Sequence, residues 1–257
     1  MNSETVSVRG TELELLHGGS GRPLVVLHGG LPFDRNVDFL DALARHFEVF
    51  APSHPGFGKS PLPGHFDSID DLVYLYLDFI EQRGLSNATL MGFCIGGWVA
   101  AELAARCVHR LSKLILVGPF GIKVGDRETR DFPDIFALNP EEVQRLTYHQ
   151  QPPPVPDLTT LPDDDLLIIA REREALALYV WEPYLHNPKL KYHLGRVAIP
   201  TLIVRGASDG LVSQSYVEAY ARFFPDARVA TIQAAGHFPQ REQPRELADK
   251  VISFARD

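Results

Sequence analysis

At 257 residues, with 45% hydrophobic and 23% charged residues, the chain is long enough to bury a large core, as one globular domain carrying an insertion. A net charge of −8 without any basic stripe excludes nucleic acid as the expected partner. No apolar run approaches the roughly 18 residues a membrane helix needs, and residues 1–10 are too polar for a secretory leader, so the expectation is a cytoplasmic protein without membrane contact. Cys94 and Cys107 lack Cys-x-x-Cys spacing, which points to neither a disulfide framework nor a zinc site. Neither metal nor cofactor is expected, and the oligomeric state is left open.

In chain order, residues 5–8 and 12–16 alternate around Arg9-Gly10 and read as a hairpin, followed by the glycine-rich loop 18–21. Residues 24–27 are uninterruptedly apolar, the mark of a strand covered on both faces, and end in His28-Gly29-Gly30. Helical spacing over 34–46 runs through Val37, Leu40, Leu43 and Ala44, and a strand follows at 48–51. Ser53 to Ser60 superficially resembles a phosphate loop. It fails as one, because Ser53 stands at the first glycine position and Pro61 follows where a helix should begin. A glycine-tight turn is the reading adopted.

An amphipathic helix over 69–83 is capped by Ser68, with Asp70 and Asp71 in its first turn. Strands are expected at 114–117, 200–204 and 229–232, with helices at 217–224 and 244–256. Alternating strands and helices predict a mostly parallel sheet with right-handed crossovers. Residues 119–199 differ in character. They carry four prolines among 150–156, a helix start at Asn139-Pro140, and a longer helix over 166–181 with Leu166, Ile169, Leu176 and Val180 on one face. The expected domains are therefore a core of 1–118 and 200–257 and a helical cap of 119–199.

The chemistry centres on residues 88–100, where an apolar strand passes through Gly92-Phe93-Cys94-Ile95-Gly96 into a helical pattern. A side chain held on so sharp a turn needs strained dihedrals, and flanking bulk would clash with the adjacent strand and helix. Such a turn would lift the Cys94 sulfur above the sheet edge and aim a helix N-terminus at it, favouring the thiolate. The competing reading is a small buried hydrophobe. Asp209 and His237 also fall just past predicted strand ends, where parallel sheets form ligand sites.

Gly-Phe-Cys-Ile-Gly-Gly at 92–97, Gly-Ala-Ser-Asp-Gly-Leu-Val at 206–212, Gly-His-Phe-Pro at 236–239 and His-Gly-Gly at 28–30 together resemble a capped α/β-hydrolase along essentially the whole chain. The chain order of nucleophile, acid and histidine is that of the superfamily. The resemblance implies the α/β fold with a mostly parallel central sheet, and a catalytic triad of Cys94, Asp209 and His237. Asp126 and Asp131 stand as fallback acids. The N–H of Ile95 and, by resemblance, that of Gly30 would form the oxyanion hole, with Leu31 the alternative to Gly30. His28 reads as a structural hydrogen-bonder.

Leu31, Phe93, Phe132, Phe136, Tyr179, Trp181 and Phe238 are candidates to line an apolar substrate pocket; for the cap aromatics the competing reading is the cap's own core. Cysteine departs from the usual serine. It argues against haloalkane dehalogenases and epoxide hydrolases, which use aspartate there, and resembles dienelactone hydrolases at the elbow alone. Carbon–carbon bond hydrolases of ring degradation share the cap and the Pro-Gly-Phe-Gly-x-Ser stretch. The expected activity is cleavage of an ester, lactone or thioester of a small molecule. Carbon–carbon hydrolysis, acyl transfer and non-catalytic ligand binding are the alternatives.

Overall fold

A hairpin opens the chain: β1 (Asn2–Val8) and β2 (Thr11–Gly19) pair antiparallel around Arg9 and Gly10, whose φ angles of 46° and 89° are those of a tight hairpin turn. The computed structural model describes all residues except 34–37, 127, 151 and 257. The strands that follow are β3 (Pro23–Leu27), β4 (Glu48–Pro52), β5 (Ala88–Phe93), β6 (Leu111–Val117), β7 (Thr201–Gly206) and β8 (Ala227–Ile232). They form one sheet in the order β1-β2-β4-β3-β5-β6-β7-β8. Every pairing from β4 through β8 is parallel, and only β1–β2 and β2–β4 are antiparallel.

Helices cover both faces. On one side lie α1 (Asp38–Ala44) and, at the C-terminus, α8 (Pro244–Arg256), burying Phe39, Leu40, Leu43, Leu247 and Val251 against Val26, Met91 and Val204. The other side takes α2 (Ile69–Gln82), α3 (Cys94–Cys107) and α6 (Gln214–Ala221), with Phe79, Tyr76, Val99 and Tyr220 in the core. Each fully buried Leu or Phe contributes about 1.5–3 kcal/mol, so these two layers supply most of the driving force. Ser68 begins α2 with a capping box: its hydroxyl accepts from Asp71 N–H while the Asp71 carboxylate accepts from Ser68 N–H at 3.0 Å.

Between β6 and β7 the described residues form no strand. Two α-helices lie there, α4 (Pro140–Thr147) and α5 (Asp163–Val180), followed by short 3-10 turns at Leu190–Tyr192 and Leu194–Arg196. Helix α5 rests on the loop after β4. Arg171 donates to the carbonyls of Gly56 and Gly58, Glu172 Oε1 accepts from Gly58 N–H at 3.0 Å, and Tyr179 Oη donates to Pro55 O at 3.0 Å. The turn read as glycine-tight is thus a platform: a Cβ on Gly56 would lie 2.5 Å from Ala175 Cβ.

Several expectations need correcting. Gly18 and Gly19 belong to β2, not a loop. The part of the first helix that can be described is Asp38–Ala44; Val37 lies outside the described residues. β6 begins at Leu111, earlier than its apolar run, because Ser112 and Lys113 still belong to the strand at the edge of the layer. α6 begins at Gln214, where Ser213 Oγ accepts from Tyr216 N–H at 3.1 Å. In α5, which begins at Asp163, the expected face does turn inward: Leu166, Ile169 and Leu176 are half-buried and Val180 is buried, beside Ala175 and Tyr179, while Leu167 and Leu178 face outward.

The parallel strands bring their carboxyl ends to one edge, and the turn after β5 makes a very tight approach there. A Cβ on Gly96 would lie 2.3 Å from His28 O and 2.5 Å from Leu27 O, both backbone atoms. Gly96→Ala is therefore expected to lower stability by about 2 kcal/mol or more in thermal denaturation. Gly195→Ala, where nothing lies within 4 Å, should change it by less than about 0.5 kcal/mol. Equal melting temperatures for the two variants would contradict this account of the turn.

Candidate active site

Cys94 is the first residue of α3 and follows directly on β5, with φ of +51°. A non-glycine residue adopts that conformation only when its surroundings over-determine it. Here they do. Beside the clash at Gly96, a Cβ on Gly92 would meet Gly96 O at 2.1 Å, so both flanking glycines let strand and helix meet without spacing. The Cys94 side chain joins the buried cluster beneath α2 and α3. The loop after β3 passes against it, since a Cβ on Gly29 would lie 2.9 Å from Cys94 Cβ.

Asp209, past β7, and His237, past β8, are both buried and meet at that same edge. His237 Nδ1 and Asp209 Oδ2 are 2.9 Å apart, and Asp209 Oδ1 accepts from the N–H groups of Leu211 and Val212, each at 2.9 Å. Arg205 fixes this loop from within β7. Its buried guanidinium donates to Val212 O at 3.1 Å and Asp209 O at 3.0 Å. Asp126 and Asp131 are elsewhere: Asp126 closes a surface turn on Glu128 and Thr129, and Asp131 holds Lys123 and the N–H groups of Val124 and Gly125.

Burial opposes a charge on His237 and is the largest single influence on it. Asp209, followed by the nearby Cys94, outweighs burial and pushes the pKa of the ring up to about 10. Nε2 is buried, and among the described residues it makes no aligned hydrogen bond. One ring nitrogen is held by the carboxylate and the other is left for a reacting group. Phe120 stacks on the ring with centroids 5.6 Å apart, and its N–H donates to Cys94 O at 3.2 Å. At Gly118, where φ is +51°, a Cβ would come within 3.1 Å of His237 Nδ1.

The His28 ring is locked by its neighbours. Nε2 accepts from His54 N–H at 2.8 Å, so the proton sits on Nδ1, which donates to Gly29 O at 2.7 Å. His54 completes the set: Nε2–H donates to His28 O at 2.9 Å, and Nδ1 accepts from Tyr76 Oη at 2.5 Å. Burial lowers the pKa of both rings, with His54 also disfavouring charge on His28; that of His54 falls to about 4. In a trans peptide C=O and N–H point in opposite directions. With Gly29 O drawn to the His28 ring, Gly30 N–H faces away from it. Leu176 of α5 covers Gly30, its Cδ2 3.4 Å from where a Cβ would be.

The expected pocket residues are dispersed. Phe93 goes to the opposite layer, its ring edge-on to Phe33 and Phe39 at 5.6 and 5.8 Å, because successive side chains along β5 leave on opposite faces. Phe132 is buried one ring beyond the site, 4.7 Å from Phe120. Phe238 lies beside His237, with centroids 5.3 Å apart. Tyr179 is buried on the loop after β4, and Ile95 is fully buried at the start of α3. Leu31, Phe136 and Trp181 are 43%, 36% and 58% exposed, the last two packed on each other at 5.5 Å.

Sequence reasoning missed Phe120, Leu176 and Tyr184. Tyr184 Oη donates to Pro133 O at 2.7 Å and accepts from Ile135 N–H at 2.8 Å. Its pKa is pushed up to about 12, chiefly by burial, and Cys94 is among the groups close enough to contribute. Among the described residues no cluster of three or more His, Cys, Asp or Glu is arranged to hold a metal ion, and no helix is long and apolar enough to cross a membrane.

The sequence matches the Alpha/beta hydrolase family over residues 15–250. The chain belongs to that family. Among its relatives is the 2-hydroxy-6-oxo-6-(2'-aminophenyl)hexa-2,4-dienoic acid hydrolase of Metapseudomonas resinovorans, 25% identical over 97% of this chain and 89% of that protein. The pimeloyl-(acyl-carrier protein) methyl ester esterase of Photobacterium profundum is 27% identical over 93% of this chain and 96% of its own length. The dihydrolipoyllysine-residue acetyltransferase component of the acetoin cleaving system of Pseudomonas putida is 27% identical over 94% of this chain, which spans only 65% of that protein. Among solved structures, a bacterial membrane phospholipase A superposes with a TM-score of 0.80 at 24% identity, covering 100% of this chain and 87% of that one, which supports the fold alone.

The Asp209–His237 pair makes a sign-specific prediction for stability. The pKa of His237 is raised from 6.5 to about 10, so the stabilisation from its protonated form is fully present below about pH 6.5 and is lost as pH rises through about 10. Asp209→Asn removes the main attraction and leaves burial dominant. The denaturation midpoint of the unmodified protein should therefore fall more steeply between those pH values than that of Asp209→Asn. Parallel curves would contradict it.

Proposed function

We propose that the protein is a hydrolase that cleaves a small ester, lactone or thioester through an acyl intermediate on Cys94. The observation that carries this reading is Cys94 at φ +51° close enough to raise the pKa of a buried histidine whose Nδ1 is held by Asp209 and whose Nε2 makes no aligned hydrogen bond among the described residues. Chemically, with the pKa of the ring pushed up to about 10 the proton rests on Nε2 of His237, the Cys94 thiolate adds to the carbonyl carbon, and the N–H groups of Gly30 and Ile95 stabilise the oxyanion. The imidazolium, stabilised by Asp209, then gives the proton to the leaving group as the bond to it breaks. A water molecule, deprotonated by His237, attacks the thioester carbonyl and releases the acid and the Cys94 thiol. Residues 119–199 act as the cap, since α5 covers Gly30 and rests on the loop after β4. A catalytic thiol fits a reducing compartment, in keeping with a cytoplasmic location.

The relative from Metapseudomonas resinovorans supports a second reading, carbon–carbon bond hydrolysis of the ring-cleavage type. Intact-protein mass spectrometry after mixing with an activated ester tests the first. A mass gain of one acyl group is expected, and it should vanish in Cys94→Ala. No adduct, or one that survives the substitution, would overturn the acyl-Cys94 reading.

Sulfur also biases the leaving group. The tetrahedral adduct expels either the thiolate or the substrate's oxyanion, and a thiol, with an ordinary pKa of about 8.5, leaves far more readily than an alkyl alkoxide. Proton donation by His237 reduces that handicap, typically by about 10²–10⁴-fold. A phenyl ester should turn over much faster than the ethyl ester of the same acid, with Cys94→Ser narrowing the gap. Equal turnover of the two by the unmodified protein would refute the bias.

A further inference from the structure

The last turn of α4 touches both loops that carry the acid and the histidine, and it does so through backbone atoms. Leu146 O accepts from Gly210 N–H at 2.8 Å, next to Asp209, and Thr147 O accepts from the N–H of His237 itself at 2.6 Å. Glycines make room for both approaches. A Cβ on Gly210 would lie 2.9 Å from Leu146 O, and one on Gly236 would lie 2.3 Å from Thr147 O. His149, just beyond, adds a bond between Nδ1 and Ser208 Oγ at 2.7 Å.

One carboxylate closes this arrangement. Glu242 ends the short helix α7 (Pro239–Glu242) that follows His237. Its Oε2 accepts from Gly236 N–H at 2.6 Å and its Oε1 from His149 N–H at 2.8 Å, with Gln150 N–H at 3.5 Å. The two oxygens thus join the residue before His237 to the residue two beyond Thr147. Both oxygens are engaged on these backbone donors, so the influence of Glu242 on the chemistry passes through the backbone.

We propose that Glu242 is a positioning residue: by bridging Gly236 and His149 it holds the His237 backbone against the end of α4, and so sets where Nε2 stands relative to the Cys94 sulfur. For turnover this rests on the acyl-Cys94 reading above; for geometry it does not. The chemical logic is that only a carboxylate offers acceptors on both oxygens. A Gln in its place keeps one acceptor and turns an amide N–H₂ toward a backbone donor, and an Ala leaves both N–H groups without this partner. A displacement of about 1 Å in a catalytic group costs up to about 10²-fold in rate.

The test compares the full-length protein with Glu242→Gln and Glu242→Ala, using two readouts on the folded fraction measured by circular dichroism. The first is hydrolysis of a phenyl ester. The expected result is a fall in kcat of about tenfold or more for Glu242→Ala, with KM changed little and Glu242→Gln in between. The second is the rate of Cys94 alkylation by iodoacetamide at pH 7, followed by peptide mass spectrometry. It should fall in the same order, because a thiol that loses its imidazole neighbour is less often the reactive thiolate. Alkylation rates equal to those of the unmodified protein in both variants would overturn the proposal, as would a loss of kcat wholly accounted for by loss of folded protein. If the unmodified protein hydrolyses no ester, the functional reading fails, while the alkylation series still decides the role of Glu242.

Discussion

Cys94 holds a left-handed backbone conformation that a residue with a side chain adopts only at a cost, of order 1–3 kcal/mol. The rest of the site depends on the structure sustaining it. The cost is borne because β5 is central in the sheet, paired in parallel with β3 on one side and β6 on the other, so the end of the strand cannot relax sideways. Gly92 and Gly96 then let the first turn of α3 close over the strand, with Gly96 in contact with the backbone at the end of β3. One packing contact therefore fixes two things together: where the sulfur points, and how close the loop of His28 to Gly30 comes to it.

The second requirement is that the polar groups buried around that turn all have partners, since an unsatisfied buried donor or acceptor costs about 1–3 kcal/mol. His28, His54 and Tyr76 satisfy one another and the local carbonyls in a single consistent set of tautomers, with no charge needed. Arg205 satisfies three carbonyls of the Asp209 loop, so its charge goes into holding that loop's shape. Against this background Nε2 of His237 is informative: among the described residues it makes no aligned hydrogen bond, and Cys94 is close enough to raise the pKa of the ring, at the place where the proposed chemistry needs the two together.

Cys94, Asp209 and His237 were legible in the sequence because each follows closely on a short apolar strand, and parallel strands carry their ends to one edge whatever the rest of the chain does. The glycines around Cys94 were legible for the same local reason. The surroundings were not. Phe120 lies just past the strand at 114–117, and nothing local says that its ring stacks on His237, far along the chain. Leu176 was legible as part of the inward face of α5, but its place over Gly30 was not, because it depends on how that helix packs on loops far along the chain. Phe93 illustrates the opposite failing: adjacency in sequence to Cys94 suggested the site, whereas strand alternation sends it to the far layer. The family assignment, over residues 15–250, agrees with the part of the reading that rested on strand ends.

The central claim is that acyl groups are carried on sulfur with their carbonyl oxygen facing the loop after β3. A crystal structure of the His237→Asn variant soaked with an aryl ester, in which deacylation is slowed, addresses it most directly. The account predicts continuous density from Cys94 Sγ to the acyl carbon, with the carbonyl oxygen within hydrogen-bond distance of the N–H groups of Gly30 and Ile95. An acyl group on any other residue, or a carbonyl oxygen turned away from both N–H groups, would contradict it.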